Sequence, residues 1–363
     1  MSHWGKMSPN FDGLEVKGMQ NDFLGLMQSL APDLAEEMGR RALVLERIAA
    51  LQPVGRRQLA ARLNLPEREV RAVANVLKEA DFITLDAAGM ALTAKADEIL
   101  AASREFSRAM RGLTDMETRL SKSLGVPKVY IAAGNADTEG HVLQDVGRMA
   151  ALRVRGLLQN GNTLAVTGGN TMAQVARFMP VASPLNVMVV PARGGMGRAV
   201  ETQANTLVAE IARKLGGHHR LMHMPDHMDQ AALTEMLKVP EVKEAMELLQ
   251  RADVILHGIG RADEMAKHRR LSVSLTRKLS EQGAVAEAFG NYFDQEGKCL
   301  YSASSVGVDT AILQPHCQMI AVAAGKRKAE AILAVLKHYH HTMLVTDEGA
   351  AQEMLCLLGE AMD

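Results

Sequence analysis

The sequence is poor in aromatic residues and cysteine, and it contains no long apolar run. Aromatic residues make up 3% of the 363 residues, which disfavours single-strand or RNA recognition by base stacking. The cysteines are odd in number and widely spaced, at Cys299, Cys317 and Cys356, which argues against a disulfide framework. Without a membrane-spanning run or a secretory signal at the N-terminus, we expect a cytoplasmic protein that has no membrane partner.

Charge of one sign is also lacking, because the formal net charge is only −1. A basic surface must therefore be local. Residues 38–112 contain 13 Lys or Arg and 9 Asp or Glu, which makes this region basic within a nearly neutral chain. The length favours two domains, since single domains of 100–200 residues are the most common.

The basic region has the pattern of a winged helix-turn-helix. A short helix, Arg56–Leu63, is followed by a turn at Asn64 and a helix from Pro66 to Ala80. Two β-prone runs, Phe82–Leu85 and Met90–Thr93, then predict a hairpin that forms a wing. We expect a DNA-binding domain over residues 32–102, with double-stranded operator DNA as its partner, and its candidate DNA contacts are Arg56, Arg57, Glu67, Arg68 and Arg71.

The rest of the chain alternates between β-type runs and amphipathic helices, which predicts an α/β domain with a mostly parallel sheet over residues 128–363. A helical stretch from Ala94 to Leu124 leads into it, and residues 103–127 are assigned as a connector. Residues 1–31 form an N-terminal extension without an assigned role. The predicted strands are Val129–Ala132, Thr163–Val166, Val187–Val190, Leu221–Met224, Val254–Leu256, Met319–Val322 and Met343–Val345.

Three of these strands end in glycine-rich turns, where ligands bind in parallel sheets. The run Thr163–Val166 breaks into Thr167, Gly168, Gly169 and Asn170 ahead of a helix, which suits an anion at a helix N-terminus. The spacing matches neither the dinucleotide fingerprint nor the P-loop, so NAD and ATP are disfavoured. Arg193 with Gly194 and Gly195, and the segment His257–Gly260, follow two other strands and favour a small phosphate ester as the ligand.

With these motifs the chain resembles the SorC family of sugar-responsive regulators, from about Pro32 to the C-terminus. The matching segments are Val166–Gly169, Val190–Gly195, Gln203–Thr206, Val285–Gly290 and Val345–Ala351. The resemblance implies a domain similar to sugar-phosphate isomerases, a repressor of a glycolytic operon, and fructose 1,6-bisphosphate as inducer, with no metal or other cofactor. It also suits a symmetric dimer or tetramer, because two-fold DNA sites are read by symmetric proteins.

The resemblance also assigns an effector site. It implies that Thr167, Gly168, Gly169 and Asn170 surround one phosphate, that Arg193, Gln203 and Lys328 make further polar contacts, and that Glu287 holds sugar hydroxyls. His268 and Arg269 fall where the family has two arginines near a phosphate. Asn170 stands where a hydroxyl residue is common, and His268 makes that phosphate contact weaker or pH-dependent.

Two alternatives remain open from the sequence. An enzyme related to sugar-phosphate isomerases would need a general base, for which Asp253, Asp263, Glu264 and Glu287 are candidates. A metal-responsive regulator would need ligands from two histidine groups, although a structural zinc site usually includes cysteine or carboxylate. Those groups are His218, His219, His223 and His227, and His338, His340 and His341.

Overall fold

The computed structural model describes residues 25–181, 183–194, 199–224, 230–303, 307–308 and 315–360. The chain divides into two compact units, Met1–Thr114 and Asp115–Asp363. Most of the expected N-terminal extension, and also Gly195 and His227, lie outside the described residues, whereas residues 25–30 are helical. No helix in the described ranges is long and apolar enough to cross a membrane.

The first unit is a winged helix-turn-helix, as the sequence predicts. Its elements are α1 (Pro32–Leu51), α2 (Arg56–Leu63), α3 (Glu67–Glu79), β1 (Ile83–Asp86), β2 (Gly89–Leu92) and α4 (Ala94–Met110). Asn64 ends α2 in the left-handed conformation, at φ 51°, a region that asparagine tolerates better than most residues. Leu59, Val70 and Met90 are fully buried in a core that joins the helices to the antiparallel hairpin.

The helical stretch expected from Ala94 to Leu124 is two helices, α4 and α5 (Leu113–Leu124). Gly112 separates them with φ +64°, a backbone conformation that glycine adopts without steric cost. The boundary between the compact units, after Thr114, falls close to this break.

The second unit contains a seven-stranded sheet in the order β3-β13-β12-β7-β4-β5-β6, in which all neighbouring strands are parallel. Its strands are β3 (Lys128–Ala132), β4 (Thr163–Val166), β5 (Met188–Pro191), β6 (His218–His219), β7 (Val254–Gly258), β12 (Gln318–Val322) and β13 (Met343–Asp347). The helices are α6 (Val142–Leu157), α7 (Asn170–Phe178), α8 (Ala204–Leu215), α9 (Gln230–Met236), α10 (Pro240–Gln250), α11 (Ala262–His268), α12 (Val273–Glu281), α13 (Ala329–His338) and α14 (Glu348–Leu357). The strands β4 and β13 are entirely buried, as expected when helices cover a parallel sheet.

The strand predicted at Leu221–Met224 is wrong, because the edge strand β6 ends at His219. Its neighbour β5 ends at Pro191, which has no N–H to continue the ladder. The side chain of Asn205 then substitutes for a strand: its amide donates to the Met222 carbonyl, and its oxygen accepts from the Met222 N–H at 3.0 Å.

A second sheet, which the sequence did not predict, is antiparallel and has the order β11-β10-β9-β8. Its strands are β8 (Gly260–Arg261), β9 (Ala286–Ala288), β10 (Asn291–Phe293) and β11 (Cys299–Ser302). Because β8 begins two residues after β7 ends, the small sheet stands at the carboxyl edge of the large one.

Candidate functional site

The order in which the chain adds strands to the large sheet reverses between two neighbouring strands, β4 and β7. The chain continues from β4 to β5 on one side, and from β7 to β12 on the other. Thr167 joins the two strand ends: its N–H donates to the Leu256 carbonyl at 3.0 Å, and its hydroxyl accepts from the Gly258 N–H at 3.2 Å. Ligands of open α/β sheets bind in the crevice at such a reversal.

The two glycines after Thr167 are required by the geometry of this turn. Gly169 has φ +119°, a conformation that is strained for any residue with a Cβ. A Cβ at Gly168 would lie 2.7 Å from the Thr202 carbonyl oxygen. α7 begins directly afterwards without a side-chain cap, so its first N–H groups are available to an anion beside the exposed Asn170.

Lys328 lies at the same edge of the sheet, in the short 3-10 turn Lys326–Lys328 after β12. Its Nζ donates to the Ile259 carbonyl at 3.2 Å, one residue beyond the Gly258 that contacts Thr167. Burial lowers the pKa of Lys328, against the opposing effect of nearby carboxylates. A desolvated ammonium group of this kind favours an anionic partner.

Arg193 follows β5 and is 6% exposed. Its guanidinium packs against Gly290, where a Cβ would lie 2.7 Å from Cζ. The Gly290 N–H donates to Glu287 Oε1 at 2.6 Å, and the Arg269 guanidinium donates to the same oxygen at 2.9 Å. The small sheet therefore brings one carboxylate and two guanidinium groups together, as the assignment of these three residues to one site requires.

Tyr292 belongs to this group of charges, although the sequence did not indicate it. It pairs with Glu287 across β9 and β10 and is fully buried. Burial raises the pKa of the Tyr292 phenol, and Glu287 adds to the rise while Arg269 and Arg193 oppose it. Its hydroxyl has no hydrogen-bond partner among the described residues, which is unfavourable for a buried polar group. Because its role depends on strand pairing, its position in the sequence gave no signal.

Two buried histidines lie beneath this edge of the sheet. The Nε2 atoms of His257, in β7, and His341 are 2.8 Å apart, while each Nδ1 contacts a backbone carbonyl, Gly258 at 3.1 Å and Tyr339 at 2.8 Å. Burial lowers the pKa of both rings, that of His341 to about 4. Two neutral rings that both donate from Nδ1 would face each other with lone pairs. One of the two rings therefore carries its proton on Nε2 and donates to the other.

The remaining candidate effector residues are less closely joined. Gln203 is beside Gly168: a Cβ added to Gly168 would lie 3.6 Å from the carbonyl carbon of Gln203. His268 is exposed at the end of α11, and it is Arg269, the next residue, that contacts Glu287.

The acidic candidates for a catalytic base already have other partners in the structure. Asp253 lies at the opposite edge of the sheet and accepts from the Thr163 N–H at 2.7 Å. Asp263 pairs with Arg261 at 3.0 Å. Glu264 lies 3.8 Å from Arg261, and Glu287 is held by Arg269.

The histidine groups do not converge where the structure describes them. His218 and His219 are exposed on the edge strand, and His338 contacts the Gly297 carbonyl. No cluster of three or more potential metal ligands occurs among the described residues.

Three of the candidate DNA contacts, Arg57, Glu67 and Arg71, lie next to one another in the first unit. Glu67, at the start of α3, pairs with Arg57 of α2 at 3.4 Å and with Arg71 of its own helix at 3.3 Å. Arg56 and Arg68 are exposed. Glu67 therefore pairs with two of the four candidate arginines, and the other two are exposed to solvent.

Comparison with protein families assigns both units. Residues 38–106 match the CggR N-terminal DNA-binding domain, and residues 108–356 match the sugar-binding domain family. A DNA-binding and a sugar-binding domain in one chain define a ligand-controlled transcriptional regulator, not an enzyme. The chain belongs to the SorC family of such regulators.

Individual relatives agree with this assignment. The chain is 37% identical over 332 residues to the central glycolytic genes regulator of Priestia megaterium, covering 91% of this chain and 97% of the relative. A SorC family regulator from Enterococcus faecalis, 38% identical, superposes with a TM-score of 0.62 over 66% of this chain and 99% of its own. The full-length sorbitol operon regulator SorC from Klebsiella pneumoniae shares the fold at 18% identity, with a TM-score of 0.62 over 95% of this chain and 99% of its own.

Proposed function

We propose that the protein represses a glycolytic operon and that a phosphorylated sugar, fructose 1,6-bisphosphate first among them, releases it from operator DNA. The similarity to central glycolytic genes regulators supports the choice of operon. The observation that supports a sugar phosphate as the effector is the turn at Thr167–Gly169. This turn leads into a helix whose N-terminus has no side-chain cap and lies at the sheet reversal. The protein acts in the cytoplasm, where its DNA and its effector are found.

In this proposal one phosphate binds the Thr167–Asn170 turn. Backbone N–H groups of α7 donate to it, and the buried ammonium group of Lys328 supplies a positive charge. Gln203, which follows the short turn Val200–Thr202 packed on Gly168, borders the same anion.

The rest of the sugar is recognised by the small sheet. Glu287 accepts from sugar hydroxyls, and Tyr292 gains in the ligand the hydrogen-bond partner that the described protein residues do not give it. Arg193 and Arg269 offer guanidinium groups to a second phosphate. His268 is a secondary contact at most, because it is exposed at the end of its helix.

The first unit reads bases with the start of α3, which carries Arg68 and Arg71, and contacts phosphates with Arg56 and Arg57 of α2. A dimer or tetramer binds the operator, and the effector changes how the copies associate. It does so only through different affinities for the DNA-bound and released states.

The test is a fluorescence-anisotropy titration of the full chain onto DNA from upstream of its own operon, at fixed salt, with and without millimolar fructose 1,6-bisphosphate. We expect tight binding that the sugar weakens. Binding that does not respond to this sugar would exclude it as the inducer, and binding no tighter than to random DNA would contradict the choice of operon.

A charge substitution then locates the site. Lys328→Met removes the buried ammonium group but keeps an apolar chain of similar length, so we expect DNA binding to persist while the half-maximal sugar concentration rises about tenfold or more. Lys326→Met is the matched control, because Lys326 is exposed in the same turn and pairs with Glu353. A normal sugar response in Lys328→Met would place the phosphate elsewhere.

A further inference from the structure

The turn that carries Lys328 is very short. It is the single 3-10 turn Lys326–Lys328, which the chain enters through Gly325 at φ +107°. One main-chain hydrogen bond closes it, from the Lys328 N–H to the Gly325 carbonyl at 2.9 Å. A 3-10 turn of this length has few bonds of its own, so its position depends on the segments around it. We call residues 325–328 the lysine turn.

An aspartate at the end of β13 holds the start of the lysine turn. Asp347 is fully buried, and its Oδ1 accepts from the Gly325 N–H at 2.9 Å. Its Oδ2 accepts from the Ala136 N–H at 2.6 Å. Ala136 lies in the loop after β3, and β3 is two strands away from β12 in the sheet. This loop therefore crosses the end of β13 to reach the lysine turn.

The same loop supplies a second aspartate, Asp137, which holds the middle of the lysine turn. Asp137 Oδ2 accepts from the Arg327 N–H at 2.9 Å, and its Oδ1 accepts from Arg327 Nε at 3.2 Å. The carboxylate also lies against Gly325, where a Cβ would be 2.7 Å from Oδ1. The side chain of Asp137 is 19% exposed, whereas that of Arg327 is 65% exposed. The more enclosed member of the pair therefore bonds both the main chain and the side chain of its partner.

The chemistry of a carboxylate argues against a direct contact between Asp137 and a phosphate. An ionised carboxylate only accepts hydrogen bonds, and its charge repels a phosphate oxygen. Its effect on an anionic ligand must therefore pass through the cations beside it. Lys328 is one of them: burial lowers the pKa of Lys328, and Glu264, Asp137 and Asp347 oppose that fall.

We propose that Asp137 is a positioning residue of the effector site, which holds the lysine turn so that the Lys328 ammonium group meets the phosphate bound at the start of α7. Since Lys328 contacts the phosphate only under the proposed function, this inference rests on that function. The loop after the edge strand β3 thereby becomes part of the site, although it does not touch the sugar.

The first test needs no sugar. Hydrogen–deuterium exchange of the full chain, followed on peptides that cover residues 323–330, compares the parent with Asp137→Ala. We expect exchange in the lysine turn to become about tenfold faster or more, because a hydrogen bond to a charged group is lost. Glu210→Ala is the matched control, since Glu210 pairs with Lys214 at 3.0 Å on α8 of the same unit.

Unchanged exchange in Asp137→Ala would overturn the positioning role, whether or not the chain binds the sugar. Equally faster exchange in every peptide of the second unit would show a general loss of stability, which also overturns it.

The second test measures the affinity of the full chain for fructose 1,6-bisphosphate by calorimetry. Asp137→Ala should weaken it by about tenfold or more. Asp137→Asn, whose amide oxygen still accepts from the Arg327 N–H, should recover part of this loss. In a Lys328→Met background, Asp137→Ala should add little further loss, because the aspartate acts through the lysine.

The results distinguish this inference from the proposed function. Normal affinity in Asp137→Ala, beside weakened affinity in Lys328→Met, would overturn the inference alone, and so would fully additive losses in the double variant. Normal affinity in Lys328→Met, or a parent chain that does not bind the sugar, would overturn the proposed function and with it the role of Asp137 in binding.

Discussion

Acidification will destabilise the sugar-binding unit through its buried histidine pair. Burial lowers the pKa of His341 to about 4, from an ordinary value of 6.5. The unfolded chain therefore takes up the proton first as the pH falls. The stability that the neutral His341 contributes to the folded state is therefore fully present above about pH 6.5 and is lost as the pH drops towards 4.

The size of the effect follows from the two pKa values. Between pH 7 and pH 5, His341 alone reduces the free energy of unfolding by about 2 kcal/mol, because one pKa unit corresponds to about 1.4 kcal/mol. Burial also lowers the pKa of His257, so its contribution has the same sign. Carboxylates elsewhere titrate as well, and a variant must separate their effect.

The assay is urea unfolding at pH 7 and pH 5, followed by the near-ultraviolet circular dichroism of tyrosine. All four tyrosines, at positions 130, 292, 301 and 339, lie in the second unit, so their signal reports its unfolding. We expect the pH-dependent loss to be about 2 kcal/mol smaller in His341→Gln than in the parent chain. His219→Gln, on an exposed strand, is the control. If His341→Gln loses as much stability as the parent, His341 is not held neutral by burial.

Three further predictions concern the site and the DNA surface. Gly169→Ala places a Cβ at φ +119°, so it should lower the free energy of unfolding by about 1–3 kcal/mol and abolish the sugar response. Gly140→Ala is the control in thermal unfolding, because a Cβ at Gly140 would meet open space. Equal melting points of the two variants would refute the strain argument. Glu67→Gln releases the two arginines that it pairs, so binding to random duplex should tighten severalfold and become more salt-dependent; weaker binding would indicate that Glu67 itself contacts DNA. Tyr292→Phe removes an unpartnered hydroxyl, so stability should change by less than about 1 kcal/mol while fructose 1,6-bisphosphate binding weakens severalfold in calorimetry, unlike Tyr301→Phe; unchanged binding would remove Tyr292 from the site.

Local signals in the sequence were enough to predict most of the architecture. The wing and the two helices of the DNA-binding unit follow from turn residues and hydrophobic spacing, and six of the seven predicted strands occur within a residue or two of their expected bounds. The exception, Leu221–Met224, has the composition of a strand, but Pro191 ends its neighbour and Asn205 takes up its backbone groups. A pattern within one segment cannot reveal that its partner has ended.

Contacts between distant segments could not be predicted from the sequence. The small sheet consists of strands of two to four residues, too short for a periodic signal. Tyr292 and the pair His257 and His341 acquire their roles only when β7, β9 and β10 meet the segment that follows α13. The glycine turn was predictable because its chemistry is contained in consecutive residues.

That turn also bears on how such regulators diversify. In the proposed site the phosphate is held by main-chain N–H groups at the start of α7, which side-chain substitutions leave largely unaltered. Selection among sugars then falls to Glu287 and Tyr292 on the separate antiparallel sheet, and to Arg269, which contacts Glu287 from the end of α11. Mutation can redesign that sheet for a new sugar while the phosphate anchor stays intact, so one scaffold can acquire new inducers without first losing its ability to bind a phosphorylated one.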